Sequence, residues 1–397
     1  MSWKDWMSLK REMGVTMNKY FINSLLILAM FFCGCVKSPT LNNDVYKVAV
    51  VAPQSGPYSL LGKSIINGVD LAVREVNEKG GINGKKIVLV KEDDGGLVGE
   101  GAFFAYRLTR TEMILGVIGH LNSDISIPAS EFYTRAKIPQ ISPGSTSPYF
   151  TERAATKGYV FRTIGRDDTQ GKLLAEHVIK NGFKRVAILY NDRAYGEILA
   201  GEFARYLKVN PSSLIKPEIV FYDMIQVGKK DYGSLLVQIS SHKPDVVFLA
   251  GEHDDAGNLV KDFTKYGLGT TRFIGGDGID NLEFIKIAGK NSEGAVVISP
   301  APIIDDGFVE RYKKAYVDEP VGYAANSYDA ANILISAIKK VKEKNSEKIA
   351  QEVASTKDFK GVTGSITFDE NGDLATPGFV LSRVENGRFK IIENNNS

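Results

Sequence analysis

The chain has 397 residues, with 49 Lys and Arg against 47 Asp and Glu, four His and two Cys. Four basic residues (Lys4, Lys10, Arg11, Lys19) and two acidic ones (Asp5, Glu12) precede Cys35, so the remainder balances at 45 of each sign, and a neutral, intermixed surface excludes an electrostatic nucleic-acid binder or anionic-membrane binder. Both cysteines, Cys33 and Cys35, sit near the amino terminus; the chain beyond them has no disulfide and must stand on its core, which ~360 residues can supply as two lobes.

Lys19 precedes an apolar run, Phe21 to Phe32, too short to span a bilayer, which takes ~20 apolar residues, and of the length of a secretion signal. It ends in Phe32-Cys33-Gly34-Cys35, which resembles the bacterial lipobox although Phe32 and Cys33 are atypical in it. Cys35 is the expected lipidation site and first mature residue, anchoring an exported protein to a membrane face. A cleaved signal leaving a soluble protein is the other reading. Met17 is a good start, so Met1 to Thr16 reads as an overhang; residues 1–34 form the signal region and 35–44 the lipid-anchored linker.

Beyond the linker, strands alternate with amphipathic helices. Tyr46 to Ala52 is the apolar run of a strand buried on both faces, and Ile65, Val69, Ala72 and Val76 form a helical stripe ended by Gly80-Gly81. The alternation continues through strand 87–90, helix 102–109, strand 114–119, helix 125–136 and strand 138–141. After 159–163 a second series opens: helix 171–180, strand 185–190, helix 195–207, strand 218–222, helix 235–241, strand 245–250 and helix 256–266. Two such successions predict an α/β protein of two doubly wound, parallel-sheet lobes. Helices near 323–341 and 347–355 follow, then strands 365–368 and 379–384 with Asn371-Gly372 as the turn between them. The chain is expected to cross between lobes more than once, giving lobe 1 as 45–165 plus 301–370, lobe 2 as 166–300 plus 371–393, and a frayed tail at 394–397.

Several segments carry a resemblance: Val48 to Pro53 with Ser55-Gly56-Pro57, Asn77 to Gly84, Gly119 to Ser123, Ile141 to Pro148, and Asp192-x-x-Tyr195-Gly196. In this order the chain from about Val45 to Ile392 resembles the leucine/isoleucine/valine-type periplasmic binding proteins, the substrate-binding lipoproteins of ABC importers. The resemblance implies the type I periplasmic-binding-protein fold with a multi-strand hinge, an amino acid or amino-acid-like ligand, no cofactor, and a permease and ATPase as partners.

In open parallel sheets ligands sit beyond the carboxyl ends of strands, where these loops fall. Ser123 precedes a helix, whose N-terminus suits a carboxylate. By resemblance Ser123 and Thr146 hold the ligand α-carboxylate, the Gly144 carbonyl and Thr146 hydroxyl take the α-ammonium, and Ser145 belongs to the same loop. Plain helix capping by Ser123 and Ser147 is the competing account. Asp277, in a flexible Gly-rich loop, matches the family's ammonium-binding acid, usually a glutamate; a solvated turn aspartate is the alternative. Tyr195 resembles the tyrosine that covers the ligand, or is the first core residue of its helix. Leu61 and Glu252 stand where branched-chain binders carry tyrosines, and Tyr323 resembles the aromatic wall of the side-chain pocket. Glu252 unpaired against an aliphatic ligand is unfavourable, so either it turns toward the ammonium or the ligand carries a polar or cationic group. Asp254 and Asp255 read as a helix N-cap. Gly96 and Asn122 replace the family's cysteine pair.

Catalytic readings find little footing. Gly56 to Ser64 is a near miss to a phosphate-binding loop, with one residue too many between its glycines and Pro57 lacking a donor. His120, His177, His242 and His253 have no metal-ligand spacing. No nucleophile elbow or zinc-protease motif occurs. The runner-up function is a ligand-sensing receptor or regulatory module of the same fold.

Overall fold

The apolar run Tyr46–Val51 becomes β1 within a five-stranded parallel sheet. Its companions are β2 (Ile87–Glu92), β3 (Ile114–Gly119), β4 (Gln140–Ser142) and β5 (Val160–Arg162), in the order β2-β1-β3-β4-β5. Successive side chains turn to opposite faces. Val48 and Val50 pack with Ile65 and Val69 of α1 (Ser59–Glu78). Ala49 and Val51 pack with Ala105 and Leu108 of α2 (Val98–Arg110) and with Ala129 of α3 (Ser123–Arg135). The computed structural model describes residues 45–110, 113–209 and 216–394. The signal, Met17, the Cys35 lipobox and the linker lie outside the described residues.

After β5 the chain builds a second lobe. It runs through α4 (Asp167–Lys180), β6 (Arg185–Asn191), α5 (Ala194–Val209), β7 (Glu218–Ile225), α6 (Gly233–Ser241) and β8 (Val246–Ala250). It continues through α7 (His253–Val260), β9 (Arg272–Gly275), α8 (Leu282–Ala288) and β10 (Val296–Pro300). Val186, Ile188 and Phe248 pack against Leu174, Phe203 and Leu207 on one face. Ala187, Leu189 and Leu249 pack against Leu236, Leu259 and Phe284 on the other.

The chain then returns to the first lobe with α9 (Asp306–Tyr316), α10 (Ala324–Val341), α11 (Ser346–Ala354) and the short hairpin of β11 (Phe359–Gly361) and β12 (Gly364–Ile366). Helix α10 lies so close to α1 that a Cβ on Gly68 would stand 2.2 Å from the Ala324 carbonyl oxygen. A third crossing leads to β13 (Phe379–Glu385) and β14 (Arg388–Asn394), completing a seven-stranded sheet in the order β14-β13-β10-β9-β8-β6-β7.

Four expectations need correction. The second sheet is mixed, because β13 runs antiparallel to β10 and β14 antiparallel to β13. The tail hairpin turns at Asn386-Gly387, both at positive φ (53° and 71°), rather than at Asn371-Gly372. Asn371-Gly372 forms a tight loop closed by a single bridge from Phe368 to Leu374. Residues 372–373, grouped above with lobe 2, lie against β5: the Arg162 amide donates to the Gly372 carbonyl at 3.0 Å. Asn394, placed in the frayed tail, pairs with Val380 in β14.

Candidate functional site

On the first lobe, β3 ends at Gly119 and Asn122 precedes α3, whose first residue is Ser123. Ser123 therefore stands one position inside the helix and does not cap it; its Oγ accepts from the Ser147 amide at 3.3 Å. Ser147 does cap, accepting from the Tyr149 amide. The loop after β4 is fixed from behind. Ser142 Oγ donates to the His120 carbonyl (2.7 Å) and accepts from the Ser145 amide (2.9 Å). Ser145 Oγ is engaged with Leu121 O (3.1 Å) and Ser126 Oγ (2.6 Å). A Cβ on Gly144 would come within 2.6 Å of Leu121 Cδ1, so a larger residue here would push the Leu121 side chain aside.

On the second lobe, Asp277 begins a short 3₁₀ turn after β9 and is 4% exposed. The expected flexible loop is thus a buried, fastened turn. Asp277 Oδ1 accepts from Gln170 Nε2 (2.8 Å) and from the Tyr195 hydroxyl (2.9 Å), and its amide donates to Gln170 Oε1 (3.1 Å). Tyr323, immediately before α10 in the first lobe, donates to Asp277 Oδ2 at 3.1 Å. Glu252, not Asp254 or Asp255, is the residue preceding α7, and its side chain makes no capping bond. Asp255 accepts from the Tyr232 hydroxyl and the Gly228 amide, a structural role.

Between these walls lies a cavity of about 20 Å³, room for roughly a water molecule. Of the residues singled out from sequence, Leu61, Ser123, Gly144, Tyr195, Glu252, Asp277 and Tyr323 line it; Ser145 and Thr146 do not. Ser145 spends its hydroxyl on Leu121 O and Ser126 Oγ, and Thr146 is buried with its carbonyl accepting from the Asp167 amide at 2.9 Å. Leu121, Asn122 and Gly278 also line the cavity and were not picked out as ligand groups. Gly278 was within sight as part of the Gly-rich loop; Asn122 drew notice only as a replaced cysteine.

The electrostatics are one-sided. Burial raises the Asp277 carboxyl, with Gln170, Tyr195 and Tyr323 acting against it. Burial and then the Asp277 charge push Glu252 up to about 8. Burial lifts Asp280 to about 7 against the pull of Ser299, and raises Asp167 well above the usual carboxylate range. Among the described residues, no Lys, Arg or His lines the cavity. The Arg193 guanidinium reaches across the lobes instead, to Asp124 Oδ2 at 2.9 Å and Gly96 O at 3.2 Å. The arrangement suits a ligand bearing a cation and an anion, the anion at the start of α3 and the cation at Asp277.

One supporting residue escaped the sequence reading. Arg162 is fully buried at the end of β5; it donates to the carbonyls of Ser145 (2.7 Å) and Ser147 (2.8 Å) and pairs with Asp373 at 2.6 Å. Burial alone would raise Asp373, but Arg162 and Arg166 outweigh it and hold its carboxyl below the usual range. An arginine in an apolar strand followed by a polar loop gives little local signal, because its partner Asp373 is more than two hundred residues away.

The phosphate-loop resemblance dissolves in structure. A Cβ on Gly62 would fall 1.8 Å from the Pro53 carbonyl oxygen, so this glycine serves helix packing, and the exposed Lys63 pairs with Asp318 at 3.1 Å. His120 is buried between Asp94 (2.7 Å) and Tyr133 (3.2 Å). Among the described residues no group of three His, Cys, Asp or Glu is placed to hold a metal ion, and no helix is long and apolar enough to cross a membrane.

Residues 45–388 match the family described as periplasmic binding protein. The chain is 34% identical over 346 residues to Leu/Ile/Val-binding protein homolog 1 of Brucella abortus, covering 86% of this chain and 90% of the relative. It superimposes on the leucine-binding protein LivK of Thermotoga maritima with a TM-score of 0.78 at 29% identity, over 87% of this chain and 97% of the other. With the isoleucine-bound substrate-binding protein LivJ of Streptococcus pneumoniae the TM-score is 0.79 at 27% identity, over 88% and 100%.

Proposed function

The chain belongs to the periplasmic binding protein family, and from that premise we propose that it is the solute-binding component of an ABC importer, closing on an amino acid or amino-acid-like ligand. The observation that supports this best is Asp277, a buried carboxylate at the lobe interface, facing the N-terminal end of α3 across the cavity. In this reading the ligand α-carboxylate lies at Ser123 and the first turn of α3, and the α-ammonium lies between Asp277 and the Gly144 carbonyl. Ser145 and Thr146 stabilise the loop rather than touch the ligand. Tyr195 and Tyr323 close the cavity, Leu61 meets the ligand side chain, and lobe closure presents the loaded form to a permease and its ATPase.

Export of the family agrees with the amino-terminal signal; the lipid anchor on Cys35 is part of the proposal. Thermal shift with the common amino acids tests the binding role, since a ligand that binds only the folded form raises Tm. A set in which none raises Tm overturns it. Uptake of the identified ligand by cells lacking this protein tests the importer: transport should fall, and unchanged transport removes that part. Cys35→Ser should release the mature protein from membranes; a variant that stays membrane-bound with its signal cleaved removes the lipid anchor.

A further inference from the structure

Glu252 is the wall residue that the reading above leaves without an occupant. It lines the cavity on the second lobe, and among the described residues its carboxylate has no hydrogen-bond or ion-pair partner. It lies against the Gly278 backbone, where a Cβ would come within 2.6 Å of Glu252 Oε2, so it stands beside Asp277. Asp277 already accepts three hydrogen bonds from Gln170, Tyr195 and Tyr323. A carboxylate offers about four lone-pair positions, so Asp277 keeps room for one N–H, which the α-ammonium takes. Glu252 keeps all of its own. Asn122 Oδ1, on the opposite wall, is likewise buried with no partner. The nearby cation, Arg193, is committed to Asp124 and Gly96.

We infer that Glu252 receives a second cation carried by the ligand side chain, so that this protein binds a basic amino acid in preference to a branched aliphatic one; the inference rests on the amino-acid reading of the cavity. An aliphatic zwitterion brings one positive and one negative charge, and its methyl groups would face Glu252 and Asn122 with their polar atoms unmet. A side-chain ammonium or guanidinium satisfies both, while Leu61 and Leu121 offer apolar surface to its methylene stem.

The carboxyl of Glu252, pushed up to about 8, carries a proton at neutral pH. The charged groups acting on it are Asp277, Asp255, Arg193 and Asp124, with Tyr58, Tyr195 and Tyr323 also nearby. A side-chain cation binds the ionised form, so its arrival releases that proton and affinity rises as pH approaches 8. An aliphatic ligand leaves the proton in place.

Titration calorimetry with lysine, ornithine, arginine, leucine, isoleucine and valine, in two buffers of different ionisation enthalpy at pH 7, decides the matter. A basic amino acid should bind at least about tenfold tighter than any of the three aliphatic ones, with close to one proton released. Glu252→Gln should weaken that ligand at least about tenfold and abolish the proton release. Leucine, isoleucine or valine binding as tightly as every basic ligand, or a Glu252→Gln protein with basic-ligand affinity within about threefold of wild type, overturns the inference and leaves the amino-acid site standing. If neither class binds, the inference falls, while the amino-acid site itself is decided by the thermal-shift set of all the common amino acids. Proton release is read on the wild type, so the test survives a variant that folds poorly.

Discussion

Tyr323 of the first lobe donates its hydroxyl hydrogen to Oδ2 of Asp277 in the second, at 3.1 Å, across the cavity where the ligand is proposed to lie. The carboxylate assigned to the ligand cation is thus also the acceptor that ties the lobes together. Opening the cleft breaks this bond and frees that oxygen.

Asp277→Ala should therefore act twice. Removing one member of a buried, hydrogen-bonded charge pair costs ~2–5 kcal/mol, a loss of affinity of roughly thirty-fold to several thousand-fold. Folding should suffer as well, because Gln170, Tyr195 and Tyr323 lose their acceptor; each unsatisfied buried group costs about 1–3 kcal/mol. Calorimetric titration reads the first effect and a ligand-free melting curve the second. Affinity changed less than about threefold removes the role given to Asp277.

A cavity of about 20 Å³ admits no amino acid without separation of the lobes. Solution scattering should show a ligand-free ensemble of larger radius of gyration than the saturated protein. Equal radii would rule out closure of the lobes on the ligand.

Arg193→Ala removes an ion pair and a carbonyl contact that join the lobes outside the cavity. Exposed or half-buried pairs of this kind contribute ~1 kcal/mol or less, so ligand affinity should fall by no more than several-fold through a weaker closed form. A loss beyond about a hundredfold would mean that Arg193 touches the ligand.

The pH dependence of the ligand-free protein follows from Glu252. Its folded-state value, about 8, lies above the unfolded glutamate value, so the folded form holds a proton that the unfolded form has released. The contribution is fully present below about pH 4 and is lost as pH rises through 8. Glu252→Gln should raise Tm by a few degrees at pH 8–9, with the gap closing toward pH 4. A constant gap across that range means the carboxyl does not titrate differently in the two states.

Asp373 has the opposite sign. Its folded value is depressed, so its stabilisation is present above the unfolded value of about 4 and is lost as pH falls through the lower folded value. Asp373→Asn should cost about 3–5 kcal/mol at pH 7 by leaving Arg162 unpaired in the interior. Denaturant unfolding at pH 7 and pH 3 should show the deficit narrowing in acid.

The parallel strands and their helices were legible because buried β runs and helical stripes repeat on a local scale, as in Tyr46–Val51 and Ile65, Val69 and Ala72. The site loops were legible from their place at strand ends and from the family resemblance. What stayed hidden depends on distant partners. Which Asn-Gly pair turned the tail hairpin was set by the pairing of β13 with β10, not by the dipeptide. That Ser145 faces inward is set by Ser126 and Leu121, and that Asp277 is buried is set by Gln170, Tyr195 and Tyr323.

Arg162 grips the pocket floor through the Ser145 and Ser147 carbonyls while its Nε side meets Asp373, which Arg166 of the first crossing also holds at 2.6 Å. Floor and pivot are therefore one piece of machinery. In the proposed binding cycle, a bend at the crossings would displace the guanidinium and with it the loop whose Gly144 lines the cavity. Release of the proposed ligand would then be less like leaving an intact room through an opened door than like a grip relaxing finger by finger, so substitutions at the pivot should register chiefly in the dissociation rate.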